Sequence, residues 1–396
     1  MRRIYMDYAG TTPMREEVLD AMMPYFTMKF GNASTICYYG REAKTALYDS
    51  REKIAHLIGS DPKEVFFTSG GTEADNWALR GIANANRNRG NHIVTTSIEH
   101  HAILHTCQYL EKKGFKITFL PVDENGLINV EDIINAITDE TILVSIMHAN
   151  NEIGTIQPIE IISKVIKDKN PNIYFHTDAV QTVGKIPVKV KDLGVDLLSI
   201  SSHKIYGPKG IGALYIKKGV KISPLMIGGS QENNRRAGTE NVPAIVGFGK
   251  AAELAEMEME DQYERLIYLR DKLISGILRR IPFTHLNGHP SNRLPHNINI
   301  SFEFVEGESL LLNLDMKGIC ASSGSACSSG SLEPSHVLLA IGLPKEVARG
   351  SLRLTLGRYN NEEEIDYFLE ILPNIVNKLR GMTSLFEVKN NSPQNI

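Results

Sequence analysis

Short apolar runs alternate with helix-period segments along more than half of this chain, and that alternation restricts the fold most. Strand-like runs occupy Val65–Thr68, His92–Thr96, Phe115–Pro121, Ile142–Met147, Ile173–His176 and Val195–Ile200, and a further run begins at Ile211. Between them, apolar residues recur at helical spacing, as in the helix expected near 40–58 with Ala43, Ala46, Leu47, Ile54 and Leu57 on one face. Alternation of this kind predicts an α/β fold with a mostly parallel sheet. Ligands in such sheets gather beyond the carboxyl ends of the strands. His100, Asn151, Asp178, Gln181 and Lys204 all fall just after strand-like runs.

Three stretches carry chemistry. Ser69-Gly70-Gly71-Thr72 joins a strand to a helix, so free backbone N–H groups and the helix dipole face an anion there. The competing reading is an ordinary helix start capped by Thr72. Ser201-Ser202-His203-Lys204 ends an apolar run and precedes the turn Gly207-Pro208-Lys209-Gly210. A lysine held at the wall of a site loses hydration, which lowers its pKa and makes the amine nucleophilic toward aldehydes. A surface lysine at a hairpin turn is the competing reading. The third stretch, residues 321–331, holds Cys327 among six serines and two glycines. It has little to bury and is expected to be mobile.

Composition limits the alternatives. The chain has 396 residues, 42% apolar and 22% charged, enough for a large core. A net charge of −3 gives no global basic surface, so no direct nucleic-acid binding is expected. No apolar run approaches a membrane helix, and Asp7 and Tyr8 interrupt the N-terminus before a signal peptide could form. Cys37, Cys107, Cys320 and Cys327 form no CxxC pair. We read them as free thiols of a cytoplasmic protein, with no metal site. Near the N-terminus, residues 4–12 read as a short arm. Thr12 is expected to cap a helix that starts at Pro13 and carries Val18, Leu19, Met22, Met23 and Phe26.

A Schiff-base lysine, a phosphate turn and an aspartate after a neighbouring strand are the parts of a pyridoxal 5′-phosphate site. At these residues the chain resembles the cysteine desulfurases of the NifS/IscS group, in the class V aminotransferase family. The matching stretches are Phe67–Glu73, Glu99-His100, Asn150–Gly154, Thr177–Gln181, Ser202–Gly210, Ala237–Thr239, Ser322–Cys327 and Arg353, in family order. The resemblance implies fold type I of the pyridoxal phosphate enzymes. A large domain would span 13–255. A smaller α+β domain would combine 1–12 with 256–380 and carry the cysteine loop, and 381–396 would be a flexible tail.

The resemblance also implies roles. Lys204 would bind the cofactor aldehyde and later carry a proton. His100 would stack on the ring as acid or base, with His101 beside it as the residue most easily confused with it. Asp178 would pair with the pyridine nitrogen and Gln181 with the ring oxygen. Gly71, Thr72, Ser201 and His203 would hold the phosphate. Thr239 would reach it from a second subunit, which implies a homodimer. Asn151 would touch cofactor or substrate. Arg353 would clamp the substrate carboxylate, with Arg358 a nearby rival. Cys327 would take sulfur from L-cysteine as a persulfide and release alanine. It would then pass the sulfur to an acceptor protein, such as an iron–sulfur scaffold or a tRNA-thiolation carrier, with transient cluster ligation by Cys327 among the options.

Gly31-Asn32-Ala33-Ser34-Thr35 and the following Ile36-Cys37-Tyr38-Tyr39 depart from the family pattern at a stretch with no catalytic role. A selenocysteine lyase or another class V lyase would share the lysine and aspartate. A non-catalytic scaffold of the sulfur machinery would not need Lys204, Asp178, His100, Cys327 and Arg353 together.

Overall fold

The computed structural model describes residues 3–323 and 334–382. Twelve strands are found among them: β1 (Ile4–Tyr5), β2 (Val65–Thr68), β3 (His92–Thr96), β4 (Lys116–Leu120), β5 (Thr141–Ser145), β6 (Tyr174–Asp178), β7 (Leu197–Ser201), β8 (Gly212–Ile216), β9 (Thr284–Leu286), β10 (Asn297–Phe302), β11 (Ile319–Cys320) and β12 (Ser351–Thr355).

The central sheet has seven strands in the order β2-β8-β7-β6-β5-β3-β4. Neighbours from β7 through β4 run parallel, and β8 is antiparallel to both β2 and β7. The expected mostly parallel α/β sheet is therefore present. Every residue of β3, β5, β7 and β8 is buried, because helices cover both faces. At the sheet edge, β4 leaves Lys116 and Phe119 exposed. Apolar residues of the chain's first helices, of Ile159–Lys169 and of the first half of Val242–Arg280 form one core against this sheet.

A second core gathers Ile4, Met6, the Leu266–Ile281 face, β10, β12 and the last described helix, Glu362–Arg380. Its sheet has the order β12-β10-β9, all antiparallel. One helix, Val242–Arg280, enters both cores. At 39 residues it is about 58 Å long at 1.5 Å per residue. It is a single unbroken helix.

The N-terminus corrects one expectation. The first helix runs Glu16–Met22, not from Pro13, and its N-cap is Arg15. Thr12 caps nothing there. Its hydroxyl donates to the His203 carbonyl at 2.9 Å and accepts from the Tyr206 N–H at 2.9 Å. A threonine can satisfy whichever backbone groups tertiary structure brings near it, and here those belong to the lysine turn. Among the described residues no helix is long and apolar enough to cross a membrane, and Cys37, Cys107 and Cys320 are free thiols.

Candidate active site

The strand β7 ends at Ser201, and a single 3-10 turn, Ser202–Lys204, follows it. Two features fix this turn. Tyr206 takes a left-handed backbone, φ 65°, which is rare for a side chain of that size. The N-terminal arm also crosses it. Thr12 binds residue 203 as described, and Thr11 Oγ1 lies 3.0 Å from His203 Nδ1. The Lys204 amine donates to the carbonyls of Ala9 and Gly10, the latter at 2.7 Å.

Asp178 closes β6, which lies beside β7. One of its oxygens accepts from the Val180 N–H at 2.9 Å. Its carboxyl is pushed up to about 6 by burial, against the opposing pull of the Lys204 charge. Asp75 lies nearby, also buried and also shifted upward by burial and by Asp178. Gln181 donates to the Ala9 carbonyl, while its Oε1 is buried without a partner among the described residues. An N–H or O–H donor to the Gln181 oxygen is what this pocket floor lacks among the described residues.

The turn after β2 becomes the helix Gly71–Asn86. Its N-cap is Gly70 at φ 150°, with no side-chain cap. Thr72 lies one residue inside the helix, so the capped-start reading does not hold. The first N–H groups of this helix face outward without intrahelical partners. A Cβ on Gly212 would stand 2.7 Å from the Gly70 Cα, so β8 packs directly under the turn.

His100 caps the helix His101–Glu111 by accepting the Ala102 N–H at Nδ1, 3.1 Å. Its ring proton is therefore assigned to Nε2. Burial, then Lys204 and the neighbouring histidines, lower it to about 4, so the ring is neutral. Arg353, on β12, donates to Asp7 Oδ1 at 2.7 Å and to the Asn151 carbonyl at 3.2 Å. Its Nε is buried with no partner among the described residues. Arg358, the rival, is bound instead to Glu258 and lies outside this cavity.

These side chains line one cavity of about 260 Å³. Gly71, Thr72, His100, Asn151, Asp178, Gln181, Ser201, His203, Lys204 and Arg353 all border it. Of the expected residues, Thr239 does not. It is exposed and borders a separate cleft with Ser69 and Arg236. Cys327 lies outside the described residues, although the chain flanking it is anchored at the cavity. On one side Ser322 exchanges backbone hydrogen bonds with Arg353. On the other, the Ser335 hydroxyl donates to Glu152 at 2.5 Å.

Sequence reasoning missed Asp7, Asp75, Met147 and the Ala9 and Gly10 backbone. Asp75 sits one turn into the helix after the glycine turn, which was the available signal. Asp7 gave none, since its partner is 346 positions away.

The pocket fits pyridoxal 5′-phosphate. It offers an amine, an anion-binding helix start, a buried carboxylate and an orphaned amide oxygen. Comparison with known proteins agrees. The family described as aminotransferase class-V matches residues 4–368. A protein of Methanosarcina thermophila named cysteine desulfurase IscS is 59% identical over 384 residues, 97% of this chain and 94% of its own. Another of that name, from Dictyoglomus turgidum, is 59% identical over 382 residues, 96% of each chain. A solved NifS-like protein superposes with a TM-score of 0.90 at 41% identity, covering 95% of this chain and all of its own. A structure described as SspA in complex with cysteine gives 0.81 at 37% identity, covering 90% and 100%. The chain belongs to the class-V aminotransferase family, among its pyridoxal 5′-phosphate-dependent cysteine desulfurases.

Proposed function

We propose that this chain desulfurises L-cysteine to alanine in the cavity around Lys204 and stores the sulfur on Cys327. The observation that carries this reading is the convergence of Lys204, Asp178, His100, the Gly71–Thr72 helix start and Arg353 on one cavity.

When bound, pyridoxal 5′-phosphate supplies an aldehyde for the substrate amine and a ring that accepts the electron pair released at the α-carbon. Lys204 would hold the group through Nζ, with Asp178 facing its ring nitrogen and Gln181 its ring oxygen. Gly71, Thr72, Ser201 and His203 would hold the phosphate, and Asn151 would touch cofactor or substrate. Arg353 orients the substrate by its carboxylate, and its Nε has no partner among the described residues. Once released, Lys204 takes the α-proton. His100, kept neutral by burial, exchanges a proton at Nε2. Cys327 then attacks the substrate sulfur as a thiolate. An S–S bond forms and the carbon–sulfur bond breaks. The electron pair stays on carbon, is protonated there, and leaves as alanine. The persulfide passes to an acceptor protein such as an iron–sulfur scaffold. The anchoring of the loop's two flanks on Arg353 and Glu152 supports this role for Cys327.

The same reading makes the protein a homodimer. Thr239 would serve the phosphate of the partner, which accords with its distance from its own cavity. Exposed apolar residues support a covered surface: Phe30 (63%), Ile36 (92%) and Ile227 (94%). The separate core around β10 and β12 supports the division into 13–255 and a unit of 1–12 with 256–380.

The test is the intact mass of the holoenzyme after brief exposure to L-cysteine without reductant, with peptide mapping. One added sulfur on Cys327, with alanine released, is expected. Alanine with unmodified Cys327 and undiminished sulfide output from Cys327→Ala would overturn the storage step. Absence of alanine would overturn the reaction.

A further inference from the structure

His203 borders the cavity of Lys204. Its ring is neutral, because burial and then the charges of Lys204, Lys209 and Lys185 lower it to about 4. A neutral imidazole has one N–H and one bare nitrogen, and only the protonated nitrogen can bond an anion. Which nitrogen carries the proton is set by the partner of the other one.

That partner is Thr11. Its Oγ1 lies 3.0 Å from His203 Nδ1, and Thr11 itself is not among the residues that border the cavity. Nδ1 is thus turned to the N-terminal arm, and Nε2 is the ring nitrogen left for a ligand in the cavity. A threonine hydroxyl can donate or accept. Were Nδ1 the donor, Nε2 would set a bare lone pair against an anion. Donation from the Thr11 hydroxyl to Nδ1 puts the ring proton on Nε2, and both hydrogen bonds are then made.

The arm is pinned where this bond needs it. The Gly10 and Thr11 N–H groups donate to the Asp7 carbonyl at 3.0 and 3.4 Å. A Cβ on Gly10 would collide with the Asp7 carboxylate, so this turn closes only on glycine. The Tyr5 hydroxyl is shared between the carbonyls of Asp7 and Thr11, at 2.9 and 3.2 Å. The Ala9 N–H donates to Thr355 Oγ1 at 2.8 Å, which ties the arm to β12. Just past the turn, the Thr12 N–H and hydroxyl both donate to the His203 carbonyl, at 3.2 and 2.9 Å. Two consecutive threonines therefore hold one histidine, Thr12 by its backbone and Thr11 by its ring.

We propose that Thr11 is a positioning residue whose hydroxyl donates to His203 Nδ1 and so presents Nε2–H to the phosphate of the cofactor. This rests on the reading of His203 as a phosphate ligand. Thr11 acts through His203 and touches neither cofactor nor substrate.

The experiment measures the dissociation constants of pyridoxal 5′-phosphate and of pyridoxal, which lacks the phosphate, for the full chain freed of cofactor by dialysis. Thr11→Val keeps the shape and removes the hydroxyl. It is expected to weaken pyridoxal 5′-phosphate about fivefold, the share of one hydrogen bond, and to leave pyridoxal unchanged. Thr11→Ser keeps the hydroxyl and is expected to bind both like the wild type. In a His203→Ala background, Thr11→Val is expected to add no further loss. A Thr11→Val protein with wild-type affinity for pyridoxal 5′-phosphate would overturn the proposal. So would equal weakening toward both ligands, a Thr11→Ser protein as weak as Thr11→Val, or the full loss repeated in the His203→Ala background. Should Thr11→Val fail to fold, Thr11→Ala is read by the same comparisons. A His203→Ala protein that binds pyridoxal 5′-phosphate as tightly as the wild type is a distinct result, and it overturns the phosphate reading of His203 itself.

Discussion

The Arg353 guanidinium donates to the Asp7 carboxylate at 2.7 Å, so the first strand's exit and this cavity-lining arginine are held together. One terminal nitrogen donates to Asp7 and the other to the Asn151 carbonyl, while Nε has no partner among the described residues. Asp7→Asn keeps the shape and removes the charge. A charge-assisted hydrogen bond contributes about 1.5–3 kcal/mol. We expect KM for L-cysteine to rise about tenfold, with kcat changed far less. Initial-rate kinetics check this, and a fall confined to kcat would contradict it.

Glu99 behaves as a buried neutral acid. Burial pushes it up to about 8, although it accepts from the Met147 N–H and the Thr96 hydroxyl. The raised value means that the folded state holds a proton the unfolded chain has lost. Its stabilising contribution is fully present below about 4.5 and declines as pH rises toward 8. Glu99→Gln has no such proton. The melting temperature of the variant should therefore gain on the wild type between pH 5 and pH 8. Parallel melting curves across that window would refute the assignment.

Arg51 and Glu232 form a bidentate pair at 2.7 and 2.6 Å, and Glu232 also accepts the Phe67 N–H. Glu232 is 8% exposed and has φ 49°, the first of three consecutive left-handed residues. The ion pair holds a strained loop against β2. Arg51→Met leaves the carboxylate buried and unpaired, at a cost of about 3 kcal/mol. Chemical denaturation should show that loss, and Glu232→Gln in the same background should restore part of it.

Phe30 stacks on Tyr39 at 5.1 Å, and Ile36 beside them is 92% exposed. If this face is the homodimer surface, Ile36→Asp together with Tyr39→Asp should yield monomers in sedimentation, with weakened cofactor retention. An unchanged sedimentation coefficient would place the interface elsewhere.

The cavity wall was legible in the sequence because it is locally encoded. Lys204, Asp178 and His100 each sit at the end of an apolar run whose length already predicts a strand, and parallel strands bring such ends together. The glycine turn at 70–71 was legible for the same reason. What Thr12 does was not, because its hydroxyl answers to a turn some 190 residues away.

The amino-acid sequence by itself therefore determined the alternating α/β architecture and the chemistry of each strand end, since both follow from local periodicity and residue type. Only the tertiary structure decided which of those groups share a cavity and which lose their hydration. It alone showed that the N-terminal arm closes over Lys204 and that Asp7 holds Arg353. Burial and charge proximity depend on distances between residues far apart in the chain, and no local pattern encodes those distances.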